Sequence, residues 1–302
     1  MNVPHARRER MPGTYSRILP LFISIICIIT FMVPAMEYPS SDAILIGNFG
    51  ADNKGMPYLG DSFMGEGVIR AAETGEILFR RDASDTASRL PSPLGTWIAI
   101  DHGDGLISMY SRLDDKKKLR LPTTIEKNMV IAAAGNSGWA KETGFYFSLF
   151  DRKERQWVNP AMIVSHLPDT RAPLIQSVRL QSASNRSLDP SQIKAMSQGR
   201  YTVFVTVADF TALGEATLAP FRIICSLNGR EVGAITLETF SARDGILWIY
   251  RNGLVPVKQV YAGMSVFELG DAVFTRGQSA LEILTHDVNE NIQSVVYNFA
   301  VE

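Results

Sequence analysis

From Ala43 to Leu167 the chain alternates short apolar runs with turns and shows almost no helical period. "GVIRAAETGEILF", "TWIAIDHGDGLISMYSRL", "NMVIAAAGNSG" and "FYFSLFD" have the β-branched and aromatic content of strands. Gly-Asp, Gly-Asn and Pro signals separate them, which predicts a compact antiparallel β domain over residues 43–168. "SHLPDTRAPLIQSV" is richer in proline and polar residues and reads as a linker. Beyond it come "LIQSVRL", "RYTVFVTVAD", "FRIICSLNGREVGAITLETF", "ILWIYR", "QVYAGMSVFEL" and "ALEILTHDVNENIQSVVYNFAV". Strands about 8 to 12 residues apart, with an Asn228-Gly229 turn, predict a β-sandwich over residues 171–302.

The N-terminus has a different pattern. Arg7, Arg8, Arg10 and Arg17 precede an uncharged apolar run from Ile18 to Met36. A basic region, an apolar region and Val33-Pro34-Ala35 have the form of a secretory signal over residues 1–35. The competing reading is an uncleaved membrane anchor, since a span needs about 20 apolar residues. Either way the remainder is expected in the periplasm or cell envelope, with membrane contact only through this segment. Cys27 sits within the apolar run after Ile26 and is a poor lipidation site.

Without residues 1–35, which hold four Arg and one Glu, 26 basic and 30 acidic side chains remain, a net charge of about −4. That gives no support to a nucleic-acid partner. "DDKKKLR", Asp114 to Arg120, reads as a solvated loop. Cys225 is then the one remaining thiol, in "FRIICSL", and reads as a small buried hydrophobe.

Three motifs follow one another in the first domain. "GTWIAIDHGDGLISMYSRL" (Gly95 to Leu113) is a strand, a His-Gly turn and a second strand; "IEKNMVIAAAGNSG" (Ile125 to Gly138) follows, and "VNP" (Val158 to Pro160) closes the domain. In this order and spacing, Phe49 to about Pro160 resembles the lysostaphin-type peptidoglycan endopeptidases with a LytM-like domain. The resemblance implies an all-β chain: a LytM-like antiparallel domain of the lysostaphin-type duplicated hybrid motif, followed by an immunoglobulin-like β-sandwich.

The same resemblance implies zinc hydrolysis by a His and an Asp of an early His-x-x-x-Asp motif and the second His of a His-x-His strand. Three such ligands leave a fourth position for water, whose pKa falls to about 7. In this chain the His-x-His falls on Tyr146-Phe147-Ser148, and the histidine of the family's Tyr-x-His-Leu falls on Arg112, in Tyr110-Ser111-Arg112-Leu113. The early motif lies in "FGADNKGMPYLGDSFMGEGV", where Asn53 or Tyr58 stands at the His position; no histidine occurs between residues 6 and 101. Asp52 and Asp61 read as lone carboxylates or turn residues. His102, in "DHGDG", reads as structural, and His166 and His286 lie in separate segments. The expectation is a pseudoenzyme with no catalytic residue, no metal and no cofactor.

Strand alternation places Tyr146 and Ser148 on one face and Phe145 and Phe147 on the other. Tyr146, Ser148, Arg112 and Tyr110 are therefore the candidates to line an inherited groove, while the two phenylalanines belong to the core. Neither Ser148 nor Cys225 has the signature of a nucleophile with an oriented base. "DVNEN", Asp287 to Asn291, has three oxygen ligands of a calcium loop, but Ile292 occupies the position that needs glycine, so it reads as a β-turn. Asn185 in "NRS" fits a glycosylation acceptor of little weight.

The function these features imply is a non-catalytic LytM-like envelope factor that binds peptidoglycan or a peptidoglycan hydrolase and regulates wall remodelling or division. Two alternatives stand beside it. One is a structural envelope protein that binds another protein; the other is a zinc peptidoglycan endopeptidase with unusual ligands.

Overall fold

The computed structural model describes residues 36–83, 92–117, 119–165, 167–211 and 216–302. The N-terminal signal or anchor, Cys27 and His166 lie outside the described residues. Among those described, regular structure is β-strand with two single 3₁₀ turns, and no helix is long and apolar enough to cross a membrane.

The first lobe holds β1 (Ile44–Gly47), β2 (Asp61–Met64), β3 (Val68–Arg70), β4 (Gly75–Arg81), β5 (Thr96–Asp101), β6 (Leu106–Leu113), β7 (Val130–Ala133), β8 (Gly144–Asp151) and β9 (Gln156–Val158). β4, β5, β6, β8 and β9 form consecutive antiparallel neighbours, and β7 pairs separately with β3. One edge of β8 pairs with β6. Its other edge is shared: Gly144 to Phe147 bond β2, and Leu149 to Asp151 bond β9. Phe145, Phe147 and Leu149 alternate into a core with Phe63, Ile98, Ile100, Tyr110 and Leu113, as the period of two requires. Each fully buried side chain of this size contributes about 1.5–3 kcal/mol against exposure.

The second lobe is a sandwich of two antiparallel sheets. One contains β10 (Leu174–Ser182), β11 (Gly199–Phe210) and β17 (Val266–Phe274); the other contains β12 (Arg222–Leu227), β13 (Arg230–Thr236), β18 (Gly277–His286) and β19 (Ile292–Val301). Val203, Val205 and Val207 of the first sheet share a core with Ile223, Cys225, Leu281 and Ile283 of the second. Cys225 is fully buried, which pushes its thiol pKa up to about 12. The Asn228-Gly229 turn joins β12 to β13 with both residues at positive φ, 52° and 76°, the conformation a two-residue hairpin of this hand needs.

Packing runs across the expected boundary near residue 170. β14 (Thr239–Arg243), β15 (Ile246–Tyr250) and β16 (Leu254–Pro256) come from the second half of the chain. They were expected in the sandwich, yet they extend the first lobe's sheet, with Val158 opposite Thr239 and Trp157 opposite Phe240. The three-residue β9 would otherwise leave an open edge, which β14 covers. Phe49 and Ala51, from the first segment, are buried in the second lobe's core. Asn159 is the joint: its Nδ2 donates to Leu237 O at 2.7 Å, its N–H to Glu238 O at 2.8 Å, and its Oδ1 accepts from Ala161 N at 3.0 Å. Residues 35–302 thus make one compact unit.

Candidate functional site

The face of β8 opposite the core presents Tyr146 and Ser148. Cross-strand pairs share a face, so register decides what joins them. Ser62 of β2 lies opposite Tyr146, while Asp61 lies opposite Phe147 on the core side. On β6, Ser111 is opposite Tyr146 and Tyr110 is opposite Phe147.

Tyr110 is therefore a core residue, which corrects the expectation that it lines the groove. It is fully buried, with its ring 5.3 Å from that of Phe147. Its hydroxyl accepts from Ala72 N at 2.8 Å and from Ser108 Oγ at 3.0 Å. Burial pushes its pKa up to about 12. The chain of bonds continues to His102, whose Nε2 is 2.7 Å from Ser108 Oγ and whose Nδ1 is 2.8 Å from Thr74 O. His102 braces the turn of this hairpin.

Arg112, two residues after Tyr110, should by alternation point the same way. A β-bulge redirects it. Thr96 pairs with Leu113 and Ile98 with Tyr110, so Ser111 and Arg112 together face the single residue Trp97. Arg112 adopts φ of 62°, a left-handed conformation rare for a long side chain, and its N–H donates to Leu94 O at 2.8 Å. The side chain turns to the Tyr146 face, where Nη1 donates to Ser62 Oγ at 3.1 Å and the guanidinium carbon lies 5.2 Å from the Tyr146 ring centroid.

The early motif also finds its place. Tyr58 lies beside Tyr146 with ring centroids 6.1 Å apart. Gly60 follows two residues later because a Cβ there would meet Phe147 O at 2.3 Å and Ser148 Cβ at 2.6 Å. Asn53, the other residue considered for this position, is exposed in a small hairpin with Met56. Tyr58, Ser62, Arg112, Tyr146 and Ser148 thus form one cluster, of which Ser62 and Ser148 are buried and the rest half-buried. Sequence reasoning overlooked Ser62. The glycine midway between Tyr58 and Ser62 was the available signal.

Burial first, and then the charge of nearby Asp61, raise the Tyr146 phenol well above its usual range, so it stays neutral. Asp61 itself is buried with its carboxylate accepting from Phe49 N at 2.9 Å and Tyr38 Oη at 3.0 Å; burial pushes its pKa up to about 7. It lines a cavity of about 290 Å³ with Tyr38 and, among others, Asp169, Asp209 and Asp287. The three last carboxylates approach within 4.8 Å of one another. Asp287 also closes the "DVNEN" turn, accepting from Asn291 N at 2.9 Å and Asn291 Nδ2 at 2.7 Å.

The cluster on the β8 face supplies neutral hydroxyls and one cation. Zinc takes thiolate, imidazole or carboxylate donors, and a guanidinium 3.1 Å from Ser62 Oγ adds positive charge where a metal would need negative. These residues do not fit a zinc ion. They fit an anionic or polar guest that accepts hydrogen bonds.

The model of peptidase family M23 matches residues 60–160, from the Gly60 approach to the Asn159-Pro160 joint. Residues 60–160 form an M23 domain. A second family model spans residues 172–302, the β10–β19 lobe. No curated protein matches the chain. Among solved structures, the M23 domain region is similar to the catalytic domain of the prophage-encoded M23 protein EnpA from Enterococcus faecalis, at 18% identity over 41% of this chain and 94% of that one, TM-score 0.34. The SpoIIQ–SpoIIIAH pore-forming complex matches at 14% identity over 43% and 91%, TM-score 0.35. The catalytic domain of lysostaphin from Staphylococcus simulans matches at 16% identity over 36% and 78%, TM-score 0.29.

Proposed function

We propose that this protein is a non-catalytic, LytM-like factor of the cell envelope that binds peptidoglycan through the β8 face of its M23 domain. The observation that carries this reading is Arg112, held by Ser62 and Tyr146 among Tyr58 and Ser148, in the place the resemblance reserves for metal-binding residues. A cation and three hydroxyl-bearing side chains bind polar ligands without activating water. Trp139 adds an apolar face: it is 74% exposed, and its N–H bonds Pro93 O at 3.1 Å, one residue before the carbonyl that holds the Arg112 N–H. An exposed indole of this kind stacks on sugar rings or peptide planes. The apolar, Arg-flanked N-terminal segment supports export, and the second lobe, read as an immunoglobulin-like module, supports a role in positioning the M23 domain.

Wall binding without cleavage gives a regulator of wall remodelling, acting on the polymer or on a hydrolase working there. The test uses full-length chain purified in detergent: zinc by elemental analysis, sedimentation with insoluble peptidoglycan, and assay of released fragments. Binding without stoichiometric zinc or fragments supports the proposal. Zinc with fragment release supports instead an endopeptidase with unusual ligands, and absence of binding favours a structural protein with a protein partner.

A further inference from the structure

Arg112 has more binding capacity than the fold uses. A guanidinium carries five N–H donors in a planar fork. Here one, on Nη1, meets Ser62 Oγ, and among the described residues no carboxylate pairs with Arg112. A half-buried arginine pays a desolvation cost that a partner normally offsets. The backbone carries a further cost, since φ of 62° at a residue with a long side chain is strained. Both costs are incurred to hold the guanidinium on the face of β8 rather than in the core, where strand alternation would send it.

The surroundings narrow what the free donors can bind. Tyr146 lies under the guanidinium, so the fork is fixed on one side. Tyr58 stands alongside Tyr146 and presents an apolar wall. The nearest buried acid, Asp61, is turned to the opposite face and accepts from Tyr38 and Phe49, so it does not neutralise the arginine directly. A fixed, planar, cationic fork beside aromatic walls matches a carboxylate on a short peptide, which it can hold through two parallel hydrogen bonds.

We infer that Arg112 is a carboxylate receptor: the M23 domain captures the free carboxylate of a wall peptide, with Ser62 and Tyr146 positioning the guanidinium and Tyr58 flanking the peptide chain. This inference rests on the wall-binding reading and specifies its ligand.

The experiment measures binding of fluorescein-labelled Lys-D-Ala-D-Ala, and of the same peptide with a C-terminal amide, to the full-length chain. Arg112→Gln and Arg112→Lys are compared with it, and sedimentation with insoluble peptidoglycan is run in parallel. A charge-assisted bond of about 1.5–3 kcal/mol corresponds to about tenfold or more in affinity. The expected result is a loss of about tenfold or more on amidation and in Arg112→Gln, with Arg112→Lys weaker than wild type because it lacks the fork. Amidation should then have no further effect in Arg112→Gln. Unchanged thermal unfolding of the variants assigns these losses to the site.

Wall binding by wild type that is indifferent to amidation and to Arg112→Gln overturns the carboxylate inference and leaves the wall-binding reading standing. Arg112-dependent capture of the peptide without sedimentation on peptidoglycan upholds the receptor and removes the polymer as its source. Binding of neither probe overturns both.

Discussion

The ring of Phe49, from the loop before β2, packs 4.9 Å from that of Phe240 on β14, so the two lobes share one core across 191 residues of chain. Both rings are buried, and Leu237 beside them fills the space next to Gly50, whose φ is +85°. The β8 face is consequently built on a sheet that the second half of the chain completes.

Phe240→Ala should therefore destabilise the first lobe as well as the second. Removing a buried phenylalanine costs about 3–5 kcal/mol. Calorimetry should show one unfolding transition for wild type, moved to lower temperature in the variant. Two separate transitions in wild type would mean that the lobes unfold independently.

Arg112→Gly should preserve or raise stability while abolishing carboxylate binding. Glycine accepts φ of 62° without penalty, and relief of strain at a non-glycine residue is worth about 1–3 kcal/mol. The lost bond to Ser62 and the contact with Tyr146 offset part of this. Chemical denaturation of the variant beside peptide binding checks the trade. A variant that loses stability by more than 1 kcal/mol would show that Arg112 serves the fold.

Tyr110→Phe should behave in the opposite way. Its hydroxyl accepts from the buried Ala72 N–H, and leaving that donor unpaired costs about 1–3 kcal/mol. Denaturation should register the loss, while wall sedimentation of the folded variant stays at the wild-type level because Tyr110 faces the core.

Stability should rise on acidification through neutrality. Asp61 is raised from 3.8 to about 7, chiefly by burial, so the folded state binds its proton more tightly than the unfolded one. The resulting stabilisation is complete below about pH 4 and is lost as pH rises through about 7. Asp209, also raised to about 7 by burial, acts in the same direction. Urea midpoints at pH 5 and pH 8 measure the slope, and Asp61→Asn should flatten it.

Much of the fold was legible in the chain. The period of two in "FYFSLF" placed Phe145 and Phe147 in the core and Tyr146 and Ser148 opposite, as their burial and register show. The Asn228-Gly229 hairpin followed from turn chemistry. What alternation could not give was the parity around Arg112: the bulge opposite Trp97 reverses it, and with it the places of Arg112 and Tyr110. Ser62 was hidden because a serine beside an aspartate draws no attention until register sets them on opposite faces. The crossing of β14 to β9 depends on contacts between residues 156–158 and 239–241, a long-range pairing that local pattern does not encode.

The most direct test of the central claim is the zinc content of the full-length chain, purified in zinc-containing buffer and then dialysed, measured together with fragment release from insoluble peptidoglycan. The account predicts substoichiometric zinc and no released fragments, with the protein retained on the wall. Stoichiometric zinc that Tyr58→Phe or Ser148→Ala removes, together with released fragments, would contradict it.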